Sequence, residues 1–72
     1  MTMNEFIRPY VQVEDKHGAV ASVYFLDDQK HEVHYKDNTG TRFFTEKFES
    51  LPIELVEKSV IDWAKGKREL IV

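Results

Sequence analysis

The sequence predicts an α+β fold: a four-stranded antiparallel β-meander followed by one C-terminal α-helix packed on one face of the sheet, in the order ββββα, with room for a short fifth strand at the C-terminus. Three observations carry this. Residues 9–48 are rich in β-branched and aromatic side chains, and the same turn signature breaks them twice, as Asp15-Lys16-His17-Gly18 and Asp37-Asn38-Thr39-Gly40. After Glu49 the apolar period changes from that of a strand to that of a helix.

The turns set the first registers. In each, the aspartate carboxylate can accept a hydrogen bond from the backbone two residues on, and the glycine can take positive φ, which suits a type I turn closed by a glycine bulge. Pairing Asp15 with Ala19 then sets Val13 opposite Ala21 and Val11 opposite Val23, with Tyr10 opposite Tyr24 and Gln12 opposite Ser22 on the reverse face. Pairing Asp37 with Thr41 sets Tyr35 opposite Phe43 and Val33 opposite Thr45, with Lys36 opposite Arg42 and His34 opposite Phe44 on the reverse face. Between the hairpins, Asp27-Asp28-Gln29-Lys30 is a short polar connector, and pairing Phe25 with Val33 keeps one face consistent. The predicted strands are 9–14, 19–26, 31–36 and 41–48, and the predicted core face carries Val11, Val13, Ala21, Val23, Phe25, Val33, Tyr35 and Phe43.

The helix has start and stop signals. Ser50 is the predicted N-cap, Pro52 fits the first turn, Glu54 and Glu57 suit the positive end of the dipole, and Lys65, Lys67 and Arg68 suit its negative end. Ile53, Val56, Val60, Trp63 and Ala64 form one stripe that can cover the core face, flanked by Leu55 and Ile61. Gly66 is the predicted stop. The apolar tail Leu70-Ile71-Val72 can add a fifth strand, prolong the helix or dock on a partner, the strand being favoured, and Phe6 and Ile7 are expected to anchor the first strand.

Composition then excludes several functions. The chain has 72 residues, 42% hydrophobic and 32% charged, which fits a single small domain spanning 1–72. A core this small leaves a net stability of about 3–5 kcal/mol. The absence of cysteine removes disulfides, thiolate metal sites and thiol nucleophiles. A net charge of -3 provides no general field for phosphate backbones. No apolar run approaches the roughly 18–20 residues of a membrane span, and the first residues lack the pattern of an export signal. A cytoplasmic location is the expectation. The recurrence of Asp-x-x-Gly after 22 positions reads as one turn solution used twice.

The candidate site lies on the reverse face. The deduced register lines up Tyr10, Tyr24, His34 and Phe44 across four strands, with Gln12, Ser22, Leu26, Glu32, Lys36, Arg42 and Glu46 around them. A single helix cannot cover both faces, so this row is either tucked under the chain's own termini or covered by a partner. His31 and His34 lie three apart on a strand and point to opposite faces, so they do not form a metal pair. Ser50 and Ser59 have no His and Asp arrangement for nucleophilic chemistry, and the three glycines are spent on turns and a helix end. The expected function is therefore a non-enzymatic protein-interaction module that binds a second copy of itself, as a homodimer, or another protein. Partner-binding residues are Tyr10, Tyr24, His34, Phe44, Lys36 and Arg42. Single-stranded nucleic acid stacking on the same row is the competing reading, disfavoured by Glu32 and Glu46. No cofactor, metal, membrane or small-molecule ligand is expected.

Overall fold

Four strands and one helix follow one another in the predicted order: β1 (Val11–Glu14), β2 (Val20–Phe25), β3 (His31–Lys36), β4 (Arg42–Phe48) and α1 (Ile53–Ala64). This computed structural model describes residues 8–70. Phe6 and Ile7, and Ile71 and Val72 of the apolar tail, lie outside the described residues. The sheet is an antiparallel meander in the order β1-β2-β3-β4. No helix among the described residues is long and apolar enough to cross a membrane.

Both Asp-x-x-Gly turns form as predicted. Asp15 N–H donates to Ala19 O at 2.9 Å while Asp15 Oδ1 accepts the N–H groups of His17 and Ala19. Asp37 N–H donates to Thr41 O at 2.9 Å, and Asp37 Oδ1 collects Thr39 and Thr41 in the same manner. Gly18 and Gly40 take φ of +86° and +87°, a conformation that L side chains resist. The first hairpin then keeps its predicted register through Val13–Ala21, Gln12–Ser22 and Val11–Val23.

The other two registers differ from the sequence prediction. Val33 pairs with Val23, and Phe25 pairs with His31 rather than Val33. The reason is a tighter connector: Asp27 Oδ1 accepts the N–H groups of Gln29 and Lys30 at 2.8 Å, and Lys30 O accepts those of Leu26 and Asp27 at 3.1 Å. A shift of two residues preserves the faces, yet it carries Phe25 to the end of the sheet, where it is exposed and not core. In β4, Lys36 still pairs with Arg42, but Tyr35 pairs with Phe44, His34 with Thr45 and Val33 with Glu46. Phe43 is the extra residue of a β-bulge, so every side chain after it changes face.

The core forms between one sheet face and the helix. Ala21, Val23, Val33 and Tyr35 from the sheet are buried against Ile53, Val56 and Val60 of α1. Burying each valine contributes about 1.5–3 kcal/mol relative to leaving it in water. Val11, Val13, Phe44, Phe48, Leu51, Trp63 and Leu70 complete this layer. Trp63 meets Tyr35 edge-on at 4.9 Å, in the core layer as its place on the stripe predicts.

The helix begins later than Ser50. Pro52 is the N-cap and makes no side-chain cap, while its carbonyl accepts the N–H groups of Leu55 and Val56. Ser50 lies too far upstream to cap, because the approach to the helix is extended and tied down by Leu51 N–H donating to Gln29 O. Gly66 does end the helix, at φ +77°. Its N–H donates to Trp63 O, and Lys67 N–H donates to Asp62 O, the paired bonds of a Schellman stop. Leu70 packs on the core, and residues 69–70 form no fifth strand.

Candidate functional site

The reverse face divides into a closed centre and an open rim. At the centre Ser22 of β2 pairs with His34 of β3, and the Tyr24 ring lies 4.8 Å from the His34 imidazole. Ser22 is 1% exposed, and Tyr24 and His34 are each 7% exposed. Strand alternation places all three on one face, as the hairpin registers predict.

Two side chains fix the state of His34. Glu32, two residues earlier on the same strand face, places Oε1 2.9 Å from Nε2. Arg42 places its guanidinium 3.2 Å from Nδ1. A guanidinium can only donate, so Nδ1 accepts and Nε2 carries the proton that it donates to Glu32. Both ring nitrogens are thus engaged. Gln12 Nε2 donates to Ser22 Oγ at 2.9 Å, which extends this polar layer to β1. The arrangement suits recognition and the holding of side chains, since the imidazole's acceptor nitrogen already faces a permanent cation.

Of the six predicted contact residues, the fold keeps Tyr24, His34 and Arg42 together with Lys36 opposite Arg42, and sets Tyr10 and Phe44 apart. Tyr10 begins the β1 side, where its N–H donates to Val23 O, and its ring is 52% exposed. Lys36 is exposed beside Arg42 at the turn end of β3. Phe44 is displaced: the bulge at Phe43 turns it to the helix side, where its ring packs 5.9 Å from Tyr35. The expected four-ring row is therefore two buried rings, one exposed tyrosine and no Phe44. Phe43, expected in the core, is 43% exposed in its place on the bulge.

The same bulge redistributes charge. Glu46 leaves the reverse face to oppose Val33, and Lys47 arrives on it opposite Glu32. Glu46 now accepts from the Tyr35 hydroxyl at 2.8 Å and from the Arg68 guanidinium at 3.0 and 3.1 Å. Burial pushes the Tyr35 hydroxyl well above its ordinary pKa, and the Glu46 carboxylate adds to the rise. Sequence reasoning missed this cluster, although one signal was present. Without a bulge Glu32 would face Glu46 directly, a like-charge pair, whereas one extra residue sets Glu32 against Lys47.

A shallow cleft of about 140 Å³ opens at the other end of the sheet, lined in part by Lys30, His31, Glu32, Lys47 and Glu49. His31 itself is buried under Phe25, with ring centroids 5.2 Å apart, on the face opposite His34. No protein-family model, curated protein or solved structure matches the chain, so the reading of this surface rests on its residues and geometry.

Proposed function

We propose that the chain is a non-enzymatic protein-interaction module that associates with a second copy of itself. The observation that carries this reading is the exposure of Tyr10, Phe25 and Phe43, at 52%, 44% and 43%, on a domain whose apolar core is small. Aromatic side chains held by strands lose little entropy on contact and supply most of the energy of typical interfaces. The surroundings favour self-association over a partner of one charge sign. Glu14 and Glu32 share the reverse face with Lys36, Arg42 and Lys47, and a surface of both signs can meet its own copy about a twofold axis without net repulsion. In this reading the contact centre moves from the buried Tyr24 and His34 to Phe43 on the edge strand β4, with Lys36 and Arg42 at the rim, while Tyr10 and Phe25 lie toward the other end of the sheet.

Sedimentation velocity at high micromolar concentration tests it. The wild type should sediment as a dimer, and Phe43→Glu should shift it to monomer with an unchanged circular dichroism spectrum, whereas Phe25→Glu at the other end of the sheet should leave the dimer in place. A monomeric wild type overturns self-association. Single-strand binding keeps its cations but loses the row of rings, since Tyr24 and His34 are buried, Phe44 faces the helix and Tyr10 alone of the four stays exposed, so a labelled oligothymidine should not bind. Tight, salt-sensitive binding would favour that reading instead.

A further inference from the structure

We propose that residues 68–70 form a strap that lifts independently of the domain and that the Arg68 guanidinium latches over β3 and β4. Helix α1 lies chiefly over β1 and β2. Beyond the helix end, Arg68 reaches over β3 and β4 to Tyr35 and Glu46, and Leu70 packs against the core. Arg68 reaches three elements at once: Nε donates to Ser59 O on the helix, NH2 to the Tyr35 hydroxyl on β3, and both terminal nitrogens to Glu46 on β4. A bidentate guanidinium–carboxylate pair is directional and stronger than a single-contact ion pair.

Three features make the strap separable. The Schellman bonds of Gly66 and Lys67 run back to the helix, so the helix stop is satisfied whether or not the strap is down. Among the described residues, 68–70 make no backbone hydrogen bond to the sheet, which leaves the Arg68 and Leu70 side chains to hold the segment. On the sheet side, the Tyr35 hydroxyl donates to Glu46 Oε1 at 2.8 Å, so on release of Arg68 these two groups stay bonded to each other and Oε2 alone gives up its partner. The ion pair is also partly open to water, with 27% and 21% of its two side chains exposed, so salt can weaken it. Lifting the strap would uncover the hydroxyl edge of Tyr35, whose ring lies 6.4 Å from the exposed Phe43, and so enlarge the surface around that ring. The strap stands independently of the homotypic contact.

The test is nitrogen-15 relaxation and native-state amide exchange on the full chain, wild type and Arg68→Met, with Arg68→Lys as the conservative variant. Methionine keeps the apolar stem and deletes the latch. In the wild type, order parameters of residues 68–70 should match those of α1, ~0.85, and in Arg68→Met they should fall below ~0.6. Val23 and Val33 amides should keep their slow exchange, Arg68→Lys should lie between, and added salt should loosen 68–70 in the wild type before any strand amide. Three results overturn the proposal: 68–70 equally rigid in Arg68→Met, strap mobility accompanied by lost protection at Val23 and Val33, or failure of Arg68→Met to fold.

Discussion

The β1–β2 and β3–β4 hairpins begin alike. In each an aspartate N–H donates to the carbonyl four residues on at 2.9 Å, its carboxylate gathers the turn amides, and a glycine near φ +86° closes the loop. Beyond the turns they diverge. In β1 the alternation of valines with Gln12 and Glu14 agrees with the register the turn imposes, and pairing runs on unbroken to Val11–Val23. In β4, Arg42 and Phe44 have the same parity yet occupy opposite faces, Arg42 beside His34 and Phe44 beside Tyr35. Inserting Phe43 as a bulge reconciles the two demands. A turn thus determines the first pair of a hairpin, and the needs of the two faces determine the rest.

The largest expected effect comes from deleting one residue from each hairpin. Removing Gln12 should turn the partly buried Val11 off the core face and delete the Gln12–Ser22 hydrogen bond, and cost roughly 2 kcal/mol, part of a valine's transfer energy plus one hydrogen bond. That is a large part of the stability of a domain this size. Removing Phe43 should cost within about 1 kcal/mol, because the strand then alternates regularly and every pair beyond it survives. Urea unfolding followed by circular dichroism measures both. Equal losses would show that the bulge does more than correct parity.

The contrast also explains what was legible in the sequence. Order, turn chemistry and the helix stripe are local signals, encoded by residues within a few positions of one another, and they specify the meander, both glycine turns, Gly66 as the stop and Trp63 in the core layer. The β2–β3 register depends on which carbonyl Asp27 folds back upon, and a two-residue error there is silent for faces. A bulge is the opposite case. It depends on long-range partners, Tyr35 and Arg68 for Glu46 and the helix layer for Phe44, and one residue of error moves half the candidate row. Exposure of Phe25 and Phe43 escaped the sequence for the same reason, since both sit where a register ends or breaks.

A smaller effect distinguishes the two turns themselves. Gly40→Val should cost roughly 1.5 kcal/mol, because a β-branched residue resists positive φ, while Gly40→Asn should cost less than about 1 kcal/mol. Nothing lies within 4 Å of a side chain added at Gly40, whereas a Cβ at Gly18 would stand 3.2 Å from Asn38 Cβ in the neighbouring turn. Asparagine should therefore be tolerated less well at Gly18 than at Gly40. Thermal melts of the three variants give the ranking. Equal tolerance of Val and Asn at Gly40 would remove the left-handed glycine as the element that closes the turn.

The smallest effect is electrostatic and belongs to the second turn. Three donors converge on Asp37 Oδ1: the Thr39 hydroxyl at 2.6 Å, the Thr39 N–H at 2.9 Å and the Thr41 N–H at 3.0 Å. The Thr39 hydroxyl is the leading cause that holds the Asp37 carboxyl below its ordinary pKa of 3.8, followed by the backbone donors. Because the folded value is the lower one, the turn's contribution is fully present above the ordinary value and is lost as pH falls through the depressed one. Asp27 is also depressed, chiefly by the Gln29 N–H, but it receives no hydroxyl. Thr39→Val should therefore raise the Asp37 pKa toward the ordinary value and leave that of Asp27 where it is. Carbon-13 titration of the aspartate carboxyls, read with the Thr41 amide shift, follows both groups in one experiment. If Asp37 in the Thr39→Val protein titrates where it does in the wild type, the backbone N–H groups alone set its ionisation, and the hydroxyl plays no part in what separates this turn from the one at Asp27.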